Sequence, residues 1–148
     1  MNNYHKLKKR IKRNEGYSNT LYLDQLGYAT IGYGHLIKKN EKFLPKKKYS
    51  KKSLESLFQK DFNKALRDFN KHYKTKKLSN FKKEIVIEMI FQMGIKGVLK
   101  FKRFNKYIDT NKNYLAALEM KNSLWYAQTP KRVDTLVNIL LGLNNDRR

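Results

Sequence analysis

Glu15-Gly16-Tyr17-Ser18-Asn19-Thr20-Leu21-Tyr22-Leu23-Asp24-Gln25-Leu26-Gly27-Tyr28-Ala29-Thr30-Ile31-Gly32-Tyr33-Gly34-His35 is the stretch that decides how this chain is read. Eight residues separate Glu15 from Asp24, and five separate Asp24 from Thr30. Tyr22, Tyr28, Ile31 and Tyr33 among frequent glycines predict twisted β-strands, with Asp24-Gln25-Leu26-Gly27 as their turn. Two carboxylates and a hydroxyl gathered around a short hairpin suit cleavage of a glycosidic bond. One carboxyl donates a proton to the leaving oxygen, and the other handles a water or the developing positive charge. Each residue also has an ordinary explanation. Asp opens many turns because its side chain bonds the backbone, Thr is common in strands, and Glu before Gly is a frequent exposed helix end.

Before the hairpin, Tyr4, Leu7 and Ile11 recur at helical spacing among lysines and arginines, which predicts a short basic amphipathic helix ended by Gly16. Glu15 then lies at a helix C-terminus, where the helix dipole disfavours a carboxylate. That placement suits a group that must hold a proton until it is needed.

Beyond the hairpin, residues 38–48 read as a charged loop containing Pro45. Ser50 is placed to cap a long helix over about 51–74, with Leu54, Leu57, Phe58, Phe62, Ala65, Leu66, Phe69 and Tyr73 at steps of three and four. A second helix is expected near 81–93, stopping at Gly94, with shorter ones over about 98–108 and 113–123. Thr129-Pro130 predicts a cap followed by proline at the first helical position, and this last helix should end near Gly142. A β-containing segment between helices, followed by a wholly helical region, makes the class α+β. The expected organisation is one domain, 1–148, in which a small β lobe (about 14–50) is tied by the long helix to a helical lobe (1–13 and 78–148). A cleft between the lobes is the expected ligand site.

Bulk composition narrows the partners. The chain has 148 residues, 40% of them hydrophobic, which is enough for a real core. Lys and Arg number 34 against 12 Asp and Glu, a net charge of +22, and such a field concentrates polyanions. Of the 34 cations 27 are lysine, whereas specific phosphate or base readout favours arginine. With no cysteine, disulfides and thiolate metal sites are excluded. No apolar run approaches the roughly 20 residues of a membrane span. Residues 1–13 lack the apolar core of a secretory signal, so action on a cell wall would require release from the cytoplasm by a separate membrane pore.

The hairpin resembles that of the phage-type lysozymes, glycoside hydrolase family 24. The resemblance continues through Phe91-Gln92-Met93-Gly94 and Trp125-Tyr126-Ala127-Gln128-Thr129-Pro130-Lys131-Arg132, spanning about residues 10–135. It implies a lysozyme-like fold and an endolysin hydrolysing the β-1,4 bond between N-acetylmuramic acid and N-acetylglucosamine in peptidoglycan, without cofactor or metal. Glu15 would be the general acid, Asp24 would position or activate water, and Thr30 would hold that water, with inversion at the anomeric carbon. Gln92, Tyr33, Trp125 and Arg132 would serve substrate binding, and the family arginine matching Arg132 pairs with the catalytic glutamate. His35 and Asp61 fall where the family has a structural ion pair.

The partners implied are peptidoglycan and anionic envelope polymers, with no specific nucleic acid. The protein would be a monomer held in the host cytoplasm until lysis, then acting at the cell wall or periplasm. Two positions depart from the family pattern: Leu26 replaces a glutamate in the turn, and Glu88 replaces an asparagine. A third carboxylate facing the site would oppose ionisation of Glu15; alternatively Glu88 pairs with a lysine. The competing reading is a basic nucleic-acid-binding protein, for which high charge with interleaved Tyr and Phe is the usual footprint. Against it, the aromatics sit at core spacing and no readout motif is present.

Overall fold

A computed structural model describes residues 4–143. Among these, seven helices and three strands occur in the order α1 (His5–Glu15), β1 (Ser18–Leu23), β2 (Ala29–Gly32), β3 (His35–Leu36), α2 (Lys51–Tyr73), α3 (Asn80–Leu99), α4 (Lys102–Asp109), α5 (Asn113–Lys121), α6 (Leu124–Gln128) and α7 (Pro130–Leu140). The class is α+β, as expected from the sequence. The chain divides into two compact units, Met1–Lys64 and Ala65–Arg148, with the boundary inside α2.

In the first unit α1 is amphipathic, and Leu7 and Ile11, one turn apart, are both fully buried. The helix stops at Gly16, whose φ of 74° lets its N–H donate back to Lys12 O. The sheet is antiparallel in the order β1-β2-β3. Tyr22 lies opposite Thr30 and Leu23 opposite Ala29, with a bulge between Ser18 and Tyr22. Thr30 pairs with Leu36, and Ile31 with His35. Side chains alternate across a sheet, so Tyr22, Thr30 and Leu36 share one face and Ile31 and His35 the other. Ser50 caps α2 as expected, its Oγ accepting from Ser53 N at 3.1 Å. Leu54, Phe58 and Phe62 of α2 are buried with Ile31.

In the second unit the core is formed by Ile85, Val86, Ile87, Met89, Val98, Phe104, Ile108, Met120, Val133 and Leu136, none more than 1% exposed. α3 runs past its expected end at Gly94, where non-helical dihedrals (φ 82°, ψ 157°) kink it. α6 was not anticipated as a separate helix. Five residues are too few to show a period, and its start depends on Ser123 Oγ accepting from Tyr126 N at 3.1 Å. Pro130 opens α7 as expected, but Thr129 makes no side-chain cap. Its hydroxyl donates instead to Trp125 O at 3.2 Å. No helix among the described residues is long and apolar enough to cross a membrane.

The His35–Asp61 pair is present, with His35 Nδ1 2.7 Å from Asp61 Oδ2. A second carboxylate joins it: His35 Nε2 lies 2.9 Å from Glu41 Oε1. Carboxylates only accept, so both ring nitrogens carry protons and the ring is an imidazolium. Burial, the largest influence on His35, lowers its pKa. The hydrogen bonds and charges of Asp61 and Glu41 outweigh burial and raise it above the ordinary 6.5. For Glu41, burial raises the pKa, but the Lys38 N–H and His35 lower it below the ordinary 4.5.

A raised histidine contributes stability that is complete below its unfolded pKa and disappears as pH rises through the folded value. A depressed carboxylate contributes stability present above its unfolded pKa and lost as pH falls through the folded one. Both contributions therefore coexist between about 4.5 and 6.5. We expect the stability difference between wild type and His35→Asn, measured by denaturant unfolding, to be largest in that window and to shrink on both sides. A difference independent of pH would refute this account of the cluster.

Candidate active site

Glu15 is the last residue of α1 and is half-buried. Asp24 begins the β1–β2 turn and holds it with both backbone and side chain. Its N–H donates to Tyr28 O and its C=O accepts from Gly27 N, each at 2.9 Å. Its Oδ1 accepts from Leu26 N and Tyr28 N, again at 2.9 Å each. Oδ2 makes no hydrogen bond among the described residues. The turn thus occupies one oxygen of the carboxylate and leaves the other without a bond to the turn.

Thr30 is 2% exposed. Its hydroxyl donates to Tyr28 O at 2.8 Å, so its proton is committed and the oxygen keeps its lone pairs. Towards a water, Thr30 acts as an acceptor.

Tyr22 joins these three residues. It stands opposite Thr30 in register, so the two side chains share one face of the sheet. Burial first, then the charges of Glu15 and Asp24, raise its phenol above the ordinary 10.0. The phenol therefore lies within the field of both carboxylates and stays protonated at neutral pH. Sequence reasoning used Tyr22 only as a strand residue.

The four expected substrate-binding residues have defined surroundings. Tyr33 is 9% exposed, and its hydroxyl donates to Glu55 Oε2 at 2.7 Å. Glu55 Oε1 also accepts from Lys12 Nζ at 2.6 Å. In the second unit Trp125 is 7% exposed, in edge contact with Phe101, and donates its indole N–H to Gln92 Oε1 at 2.9 Å. Gln92 Nε2 donates in turn to Thr129 Oγ1 at 3.3 Å, which leaves the amide one N–H and one lone pair for a ligand. Arg132 Nε donates to Glu88 Oε2 at 3.3 Å.

Glu88 is fully buried, and this arginine is one of its partners. Among the described residues no group of three or more His, Cys, Asp or Glu side chains is arranged to hold a metal ion.

A helix-end glutamate, a turn aspartate and a buried threonine on an α+β scaffold are the groups that a glycosidase with two carboxylates would use. The phage lysozyme family profile matches residues 12–140, and the chain belongs to that family. It is 36% identical to "Probable T4-type lysozyme 1" of Dictyostelium discoideum, over 90% of this chain and 92% of that protein. It is 35% identical to "Probable T4-type lysozyme 2" of the same organism, with the same coverage. It is also 31% identical to the "Pre-baseplate central spike protein Gp5" of Enterobacteria phage T4, over 90% of this chain and 27% of that protein. The chain is a lysozyme, a glycoside hydrolase with muramidase-type activity.

The Glu88–Arg132 pair has a measurable consequence for stability. With Glu88 fully buried and the Arg132 side chain 9% exposed, breaking the pair by removing one partner typically costs about 3–5 kcal/mol. Arg132→Ala should therefore be far less stable than wild type in chemical denaturation. Replacing both residues, as in Glu88→Gln with Arg132→Met, should recover much of that loss. A double variant no more stable than Arg132→Ala would contradict the pairing.

Proposed function

We propose that this lysozyme is an endolysin that hydrolyses the β-1,4 bond between N-acetylmuramic acid and N-acetylglucosamine by an inverting acid/base mechanism, causing bacterial lysis. The observation that carries this reading is the packing of the Glu15 side chain against Gly34, in the segment whose preceding turn Asp24 closes. It supports a common reaction site for the two carboxylates.

In the proposed reaction Glu15 gives its proton to the glycosidic oxygen as the bond to the anomeric carbon breaks. A water attacks that carbon from the opposite face. Asp24 takes the proton from this water through Oδ2, while Oδ1 stays with the turn. Thr30 Oγ1 accepts the water's other O–H and aims its lone pair at the carbon. The phenol of Tyr22 donates a hydrogen bond without changing charge. Gln92, with its remaining N–H and lone pair, is the proposed amide contact to the sugar. Tyr33, Trp125 and Arg132 are also proposed to serve substrate binding. No cofactor or metal enters the scheme.

The protein is proposed to act as a monomer on peptidoglycan, with its positive charge holding it to anionic envelope polymers and not to a specific nucleic acid. It would stay in the host cytoplasm until a separate pore releases it to the wall.

Glu15→Gln keeps the shape of the acid and removes its proton. It should fold normally and lose about 10²–10⁴-fold in muralytic rate; activity within threefold of wild type would exclude Glu15 as the acid. Freshly formed product should carry the α configuration. Product in the β configuration would point to a covalent intermediate at Asp24.

The charge generates a separate expectation. Screening shortens from about 10 Å at 0.1 M salt to about 3 Å at 1 M, so activity on whole walls should fall steeply with salt while cleavage of a short neutral oligomer changes little. Reversing Lys46, Lys47 and Lys48 together should reproduce the salt effect on walls alone. Equal salt sensitivity on both substrates would remove envelope attraction as the purpose of the charge.

A further inference from the structure

Gly34 lies between the tyrosine that binds Glu55 and the histidine clamped by two carboxylates, and its φ is +73°. Backbone conformation alone would justify a glycine there. Gly142, at the end of α7, has the same requirement, with φ +71°. The two differ in what an added methyl group would meet. At Gly142 nothing lies within 4 Å. At Gly34 the carbon would run into the side chain of Glu15, with Oε1 foremost, then Cδ at 2.9 Å and Cβ at 3.1 Å. Three atoms of one side chain thus lie along the bare Cα of residue 34. Ordinary carbon contacts are about 3.5–4.0 Å, so the carboxyl carbon would have to retreat by roughly 0.6–1 Å. Misplacing a reacting group by about 1 Å can cost around 10²-fold in rate.

We propose that Gly34 is a positioning residue of this lysozyme: its side-chain-free backbone is the surface on which Glu15 rests, and it sets where the carboxyl meets the leaving oxygen. The inference rests on the reading of Glu15 as the acid. Gly34 supplies no reacting group of its own and acts only through Glu15.

The experiment compares purified Gly34→Ala, Gly142→Ala, Glu15→Gln, Glu15→Ala and the double variant Glu15→Ala/Gly34→Ala, by kinetics on solubilised peptidoglycan and by denaturant unfolding. Gly34→Ala should lose about 10–100-fold in kcat with KM changed less than about threefold, while Gly142→Ala, equally strained, stays within about twofold of wild type. In unfolding, Gly34→Ala should shift the equilibrium constant about tenfold more than Gly142→Ala. That excess should vanish in the Glu15→Ala background, because the clash has gone.

A Gly34→Ala enzyme as fast as Gly142→Ala, beside an inactive Glu15→Gln, overturns the role of Gly34 and leaves Glu15 as the acid. An active Glu15→Gln overturns the acid assignment, and the catalytic role of Gly34 with it. If Gly34→Ala does not fold, a folded Glu15→Ala/Gly34→Ala supports the proposal, and failure of both to fold overturns it.

Discussion

The bridge through Glu55 is the contact on which the candidate catalytic geometry depends. One carboxylate of α2 receives Lys12 of α1 on one oxygen and the Tyr33 hydroxyl on the other, at 2.6 and 2.7 Å. The Lys12 hydrogen bond, ahead of the opposing effect of burial and the Tyr33 bond, holds Glu55 below the ordinary carboxylate range. Lys12 also stands over the rings of Tyr33 and Phe58, at 5.1 and 5.0 Å. The group is partly exposed, so little of the folding energy resides in the ion pair itself. The driving force comes from burial of Leu7, Ile11, Phe58 and Phe62. The bridge adds direction: it ties the helix that ends in Glu15 to the segment that carries Thr30, Tyr33 and Gly34. Glu15 is brought onto Gly34 because both elements are fastened to the same turn of α2.

Within the hairpin, folding and the proposed chemistry use different atoms of the same residues. Asp24 closes the turn with Oδ1, and the proposed reaction uses Oδ2. Thr30 spends its proton on Tyr28 O and keeps its lone pairs. Such sharing makes the site rigid without extra residues, since the hydrogen bonds that form the turn also fix the reacting groups. It also means that substitutions at Asp24 or Thr30 would disturb the turn as well as the reaction, so their kinetic effects mix two causes.

The large positive charge is accommodated mainly at the surface. Several lysines lie over aromatic rings, Lys8 on Phe62, Lys47 on Tyr49 and Lys51 on Tyr17, all within about 5 Å. Their aliphatic stems cover apolar surface while the ammonium stays wet. Lys82 is the exception, 3% exposed, with its ammonium donating to Ile108 O and Asn111 Oδ1 at the end of α4. Burial holds its pKa below the ordinary 10.5. It is satisfied by a helix C-terminus, where a cation is favoured.

Local pattern was sufficient for much of this protein. The period of 3.6 gave α1 and α2, and the Asp24–Gly27 turn announced the hairpin. Ser50 and Pro130 marked helix starts, and Glu15, Asp24 and Thr30 were the candidates that residue type and the family resemblance offered for the chemistry. These features lie within a few residues of their causes, so one dimension records them. The rest required three dimensions. No spacing rule connects Lys12, Tyr33 and Glu55, or adds Glu41 to the His35–Asp61 pair. Burial of Glu88 against Arg132 depends on two helices packing, and α6 is too short to have a period. Tyr22 and Gly34 looked like an ordinary strand residue and an ordinary turn glycine. Only the strand register put Tyr22 opposite Thr30, and only the end of α1 laid Glu15 across the glycine, because such contacts arise from the packing of elements and not from the propensity of any one of them.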